Sequence, residues 1–112
     1  MVSSGNFRHY VTFEQRSKDP DEGGGRAGSW VAVHANVPGE MRPLSSREIS
    51  VAAAKNLEIS HRFEMRYLTG FNSAWRINWQ GRFFAVIGAR DEEERRRLMI
   101  LDLLERKELD FK

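Results

Sequence analysis

The sequence predicts a mainly β chain with one short helix, and three observations carry that reading. Several stretches alternate apolar and polar residues with the period of two that a half-buried strand requires. A two-residue link, Gln80-Gly81, joins two aromatic-rich runs as a tight hairpin. A single Ser-x-x-Glu pattern marks the one clear helix start.

In chain order, residues 7–16 (FRHYVTFEQR) set Phe7, His9, Val11 and Phe13 on one face and Arg8, Tyr10, Thr12 and Glu14 on the other. Residues 17–29 hold three successive glycines and a proline, which leave no side chains for a core and predict a flexible loop. Residues 30–37 (WVAVHANV) form a second strand with Val31, Val33, Ala35 and Val37 on one side, closed by Pro38-Gly39. Ser45 and Glu48 then make a capping box. Ile49, Ala52 and Ala53 form a narrow apolar stripe behind it, and Asn56 can stop the helix in the left-handed conformation. Residues 58–67 alternate best of all, with Ile59, His61, Phe63, Met65 and Tyr67 facing one way. The hairpin follows, from residues 75–79 to residues 82–87. Residues 91–109 stay open: the charged composition favours a helix, while the apolar run within residues 98–104 equally suits a buried strand.

A chain of 112 residues suits one domain spanning residues 1–112, with enough side chains for a single core. It has no cysteine, which removes disulfides, thiolate nucleophiles and Cys-ligated zinc together. No segment approaches the roughly 20 apolar residues of a membrane span, and residues 1–6 have no apolar stretch like that of a signal peptide. The expectation is a soluble protein that stays in the cytosol in which it is made, with no membrane partner. The net charge of +2 reflects 18 basic against 16 acidic residues, and the surplus sits in the middle of the chain, which argues only weakly for nucleic acid.

Catalysis has little to rest on. The Gly-rich stretch lacks the Gly-Lys-Ser/Thr ending and following helix of a phosphate loop. His9, His34 and His61 lie on three strands with no metal-ligand spacing, so no metal site is expected. The acids at 91–94 followed by Arg95, Arg96 and Arg97 suit a solvated, salt-bridged surface or a subunit interface better than a carboxylate centre. No serine carries a nucleophile signature. The expectation is no enzyme, no catalytic residue and no cofactor. The aromatic hairpin, with Arg76 and Arg82 among its rings, could be core, subunit interface or a stacking platform for single-stranded nucleic acid. Alternation puts Trp75, Ile77 and Trp79 on one face, which favours core. The expected core comprises Phe13, Trp30, Phe63, Met65, Trp75, Ile77, Trp79, Phe84 and Val86.

The run Phe63-Glu64-Met65-Arg66-Tyr67, followed by the hairpin from Trp75 to Ile87, resembles the phage head–tail joining family, also called head-closure or stopper proteins. That family shows an apolar-x-apolar-Arg-aromatic strand and then a tight hairpin centred on Gly. Upstream, Arg8, Val11 and Phe13 are similar to its opening strand, Trp30 to its tryptophan after a polar loop, and Glu48 with Ala52 to its small-residue segment. The likeness covers about residues 7–107, and the order of the motifs carries it. It implies a small β-barrel with the short helix between strands 2 and 3, and a returning strand over residues 95–104. It further implies a structural subunit of a virion, at the head–tail interface, assembled in the host cytoplasm. The partners implied are a homo-oligomeric ring (dodecamer or hexamer), a portal or adaptor protein above, a tail terminator or tail tube protein below, and packaged double-stranded DNA in the channel. The loop at residues 19–28 is longer and richer in glycine than the family's, so no contact is carried over to it. The segment 39–57 is expected to project from the barrel, with Arg42, Ser45, Arg47, Glu48 and Lys55 facing the channel or a neighbour. The alternative function is an OB-like single-stranded nucleic-acid-binding module using the hairpin aromatics.

Overall fold

The computed structural model describes residues 7–17, 29–91 and 97–111. It contains β1 (His9–Arg16), β2 (Trp30–Pro43), α1 (Ser46–Ala54), β3 (His61–Arg66), β4 (Arg76–Trp79), β5 (Arg82–Asp91) and β6 (Leu98–Arg106), followed by a 3-10 turn at Glu108–Asp110. All strand pairs are antiparallel in the order β1-β2-β3-β6-β5-β4, and β4 returns to β1 to close a six-stranded barrel. The mainly β fold, the barrel and the helix between strands 2 and 3 therefore hold. The Gly-rich loop and most of the acid–base run fall at 18–28 and 92–96, outside the described residues.

Alternation builds the interior. Val11 and Phe13 of β1, Met41 of β2, Phe63 and Met65 of β3, Ile77 of β4, Phe84 of β5 and Met99, Leu101 and Leu103 of β6 pack together with Trp75 as one buried cluster. Six strands enclose little space, so inward side chains fill it entirely. Gly39 pairs with His9 and Met65 and lies against the Phe63 ring; a Cβ there would stand 2.6 Å from the Glu64 carbonyl oxygen.

The segment left open between helix and strand is a strand over Leu98–Arg106, with Met99, Leu101 and Leu103 buried. It pairs with β3 on one side and β5 on the other, so tertiary pairing overrides helical propensity.

Several sequence expectations need correction. Strand 2 does not end at Val37 but runs through Pro38-Gly39 to Pro43, paired to β3 over its last five residues, so residues 39–43 belong to the barrel wall and not to a projecting segment. Two bulges in β2 opposite residues 11–14 bend it around the barrel; Asn36, at φ 55, sits in the first and turns Ala35 out to solvent. Trp30 is not core: it pairs with Arg16, three residues beyond inward-facing Phe13, so its phase is outward. Trp79 and Val86 are half-buried and pack against the core from its edge. A third bulge, in β5 between Val86 and Gly88, exposes Ile87.

The hairpin turn places Gln80 at φ 54 and Gly81 at φ 82, both left-handed, as a type I′ turn requires. Glycine adopts that conformation freely, and Gln80 does so at a steric cost.

Candidate functional site

Two regions of the outer wall gather charged and exposed apolar groups. The first is α1 and its seat. Ser45 Oγ accepts from the Glu48 N–H (3.2 Å), while the Ser45 N–H donates to Glu48 Oε1 (3.0 Å), closing the capping box. Glu48 also receives both Nη atoms of Arg42, at 3.1 and 3.3 Å, and Nη1 of Arg62 at 3.3 Å. Arg62 Nε donates to Asp102 Oδ1 at 2.9 Å, and Arg90 Nη1 to Asp102 Oδ2 at 3.1 Å. Five side chains of alternating sign thus run across β2, α1, β3, β6 and β5. Hydrogen bonds from Arg42, then from the Ser45 backbone, lower the Glu48 carboxyl from its ordinary 4.5 to about 2.

Beneath the helix, Ala52 packs with Leu44 and Ile59 in a small satellite core. Its flanks stay open, with Ile49 45% exposed on one and Val51 52% exposed on the other, and Leu57 just beyond the helix is 41% exposed. Arg47, Lys55, Val51 and Leu57 line a cleft of about 410 Å³ between α1 and the barrel. Of the five residues expected to face a channel or neighbour, Arg42, Ser45 and Glu48 form the network that seats the helix, and Arg47 and Lys55 flank Val51 in the cleft, one helical turn to either side of it. Asn56 stops the helix at φ 62.

The second region was not legible as a site. Arg76 faces outward from β4 yet is only 4% exposed. Its Nε donates to Glu14 Oε1 at 2.7 Å across the β1–β4 seam, where the two residues are register partners. The rings of Phe83, Trp30 and Phe111 surround its Cζ at 4.3, 4.5 and 5.2 Å. Phe111 reaches this position because the 3-10 turn after β6 carries the chain back over the wall; its ring meets Trp30 edge-on at 5.9 Å.

At one end of the barrel, Arg82 grips Glu105 through Nε and Nη2, both at 2.9 Å, and this holds the Glu105 carboxyl below its usual range. His61 lies beside them, its ring edge-on to Phe84 at 5.1 Å, and burial lowers its pKa.

The three histidines remain apart: His9 Nδ1 accepts from the Met41 N–H at 2.9 Å, and His34 lies against Trp75. Among the described residues no group of three His, Asp or Glu side chains is placed to hold a metal. The hairpin aromatics offer no continuous stacking surface, since Trp75 and Phe84 are buried and Phe83 is half-buried over Arg76.

A family model described as phage head completion protein matches residues 2–106. Among solved structures, the solution structure of protein SF1141 from Shigella flexneri 2a aligns with a TM-score of 0.71 at 22% identity, covering 97% of this chain and 99% of that one. At that identity the likeness concerns the fold. A search among curated proteins found no match.

Proposed function

Because the chain belongs to the phage head completion protein family, we propose that it forms one subunit of a connector ring that joins the portal or adaptor to the tail and helps hold packaged DNA in the head. Membership itself carries a structural part in closing the phage head, and with it a place in the virion. The ring, its neighbours and DNA retention are the finer reading. In that reading residues 1–112 act as one domain.

The observation that carries the ring is the pairing of a closed barrel with an unpartnered helix face. A closed barrel has no strand edge to lend to a neighbour, so subunits must meet through side chains. The cleft beside α1 supplies such a patch in Val51 and Leu57, rimmed by Arg47 and Lys55. A head-to-tail ring uses two different faces of each copy, which mixed-sign surfaces suit. The net charge of +2 also suits a conduit, because a strongly basic lumen would hold phosphates too firmly for DNA to move.

Cryo-electron microscopy of particles from a host carrying the gene with its neighbours is expected to show this chain as a closed ring between portal and tail. In the same system, Val51→Glu should leave thermal unfolding of the isolated protein within about 0.5 kcal/mol of wild type, as for an exposed substitution, yet abolish ring density. Particles that lack the chain altogether would sink the reading; normal rings with Val51→Glu would remove α1 from the interface.

A further inference from the structure

We propose that His61, Arg82 and Glu105 form a proton-operated latch that ties the β4–β5 hairpin turn to β6 at one end of the barrel, closed while the His61 imidazole is neutral and released when it takes a proton. The hydrogen bonds fix the state of the ring. Ser60 Oγ accepts from the Glu105 N–H at 2.8 Å, and lies 3.5 Å from the Leu103 carbonyl oxygen and 2.9 Å from His61 Nδ1. His61 Nε2 lies 3.4 Å from Arg82 Nη2, a group that only donates. One tautomer satisfies every one of these contacts: Nδ1–H donates to Ser60 Oγ, the Ser60 hydroxyl donates to Leu103, and Nε2 turns its lone pair to Arg82. The other tautomer sets two N–H groups face to face across 3.4 Å.

A proton on Nε2 removes that acceptor and places a second cation beside the guanidinium. Arg82 already holds one carboxylate with two donors, Nε on Glu105 Oε2 and Nη2 on Glu105 Oε1, both at 2.9 Å. Imidazolium and guanidinium then compete for Glu105. His61 is set in β3 with its ring edge-on to Phe84 at 5.1 Å, whereas the Arg82 side chain is 43% exposed and can turn outward, so Arg82 gives way. Its Cζ lies 5.0 Å from the centre of the Trp79 ring and 5.5 Å from that of Phe84, so its departure uncovers Trp79, the last residue of β4. The other elements packed on His61 bring no further charge to the ring among the described residues. β2 sets Pro43 opposite it and β6 sets Leu103 there, while Arg62, next in the chain, turns to Glu48 and Asp102. Burial lowers the His61 pKa; Glu105 opposes this and Arg82 adds to it. With the folded value below the ordinary 6.5, the latch is fully closed above about 6.5 and opens as the pH falls from there.

The test is a nuclear magnetic resonance pH titration of the isolated full chain, following the His61 ring nitrogens, the Arg82 Nε–H and the Trp79 indole N–H. At neutral pH the His61 proton is expected on Nδ1. As the pH falls, the Arg82 and Trp79 signals should move with the same midpoint as the His61 ring. The Glu105 carboxyl, held below its usual range by Arg82, titrates at lower pH and leaves that step distinct. Arg82→Gln should raise the His61 midpoint, and Glu105→Gln should lower it. His61→Phe keeps a ring against Phe84 and should abolish the step at Arg82 and Trp79. Since that half-buried substitution can disturb the barrel, the exposed Arg82→Gln serves as the independent variant. A proton on Nε2 at neutral pH, Arg82 and Trp79 signals that do not follow His61, a step that survives in folded His61→Phe, or an unmoved midpoint in Arg82→Gln would each overturn the proposal.

Discussion

Removing the Glu14 carboxylate would leave the Arg76 guanidinium buried among three rings, with Glu108, distant and exposed, as its one remaining ion-pair partner among the described residues. Breaking one side of a buried pair leaves an uncompensated ion, so Glu14→Ala is expected to cost about 3–5 kcal/mol. The measure is a lowered urea midpoint at unchanged slope. The double variant Glu14→Ala/Arg76→Met should recover much of the loss, because Met fills the ring cage without a charge to desolvate. A single-variant loss under about 0.5 kcal/mol would mean that water reaches the guanidinium freely. Nothing local in the sequence announces this pair, since its members lie 62 positions apart. Phe111, one of its lids, stands among charges near the end of the chain, where periodicity has no hold. Trp30 was legible as a large aromatic on a strand but not as an outward one, because its phase depends on pairing with Arg16.

At the scale of the element, α1 shows how far local rules reach. The capping box and the left-handed stop at Asn56 could be read directly, because cap chemistry lies within four residues of the backbone groups it satisfies. The grip of Arg42 and Arg62 on Glu48 could not, since both come from strands. That grip has a pH signature. The Glu48 carboxyl is lowered from 4.5 to about 2, so its contribution is present in full above about 4.5 and is lost as the pH falls from there toward 2. In an acid titration followed by α1 amide signals, wild type should lose helix docking across that window, and Glu48→Gln should show no corresponding step. Identical curves would mean that the carboxylate does not hold the helix. β6 marks the opposite limit: its apolar run satisfied helix and strand alike, and strands on both sides decided between them. β2 was read short because Pro38-Gly39 is turn chemistry, whereas here Gly39 gives the Phe63 ring its place inside the wall.

For the whole molecule, the ladder between β1 and β4 is the shortest in the barrel wall relative to its job. Three residue pairs, Thr12 with Asn78, Phe13 with Ile77 and Glu14 with Arg76, close the sheet, against eight pairs between β5 and β6. Native-state hydrogen exchange is therefore expected to give lower protection for amides of β4 than for those of β6, with opening at this seam preceding global unfolding. Equal protection in both strands would mean that the barrel opens only as a unit. Closure as such was not in the alternation pattern, which fixes faces but not which strands meet; it entered through the family resemblance. The same seam governs the order of events at the ribosome. Among the described strands β1 is made before β4 and must wait for it, while β3 must wait for β6. Throughout that interval a nascent chain carries open strand edges that another nascent copy on the same messenger could capture. Such capture competes with closure of the barrel, so closely spaced ribosomes are expected to favour entangled copies over finished barrels.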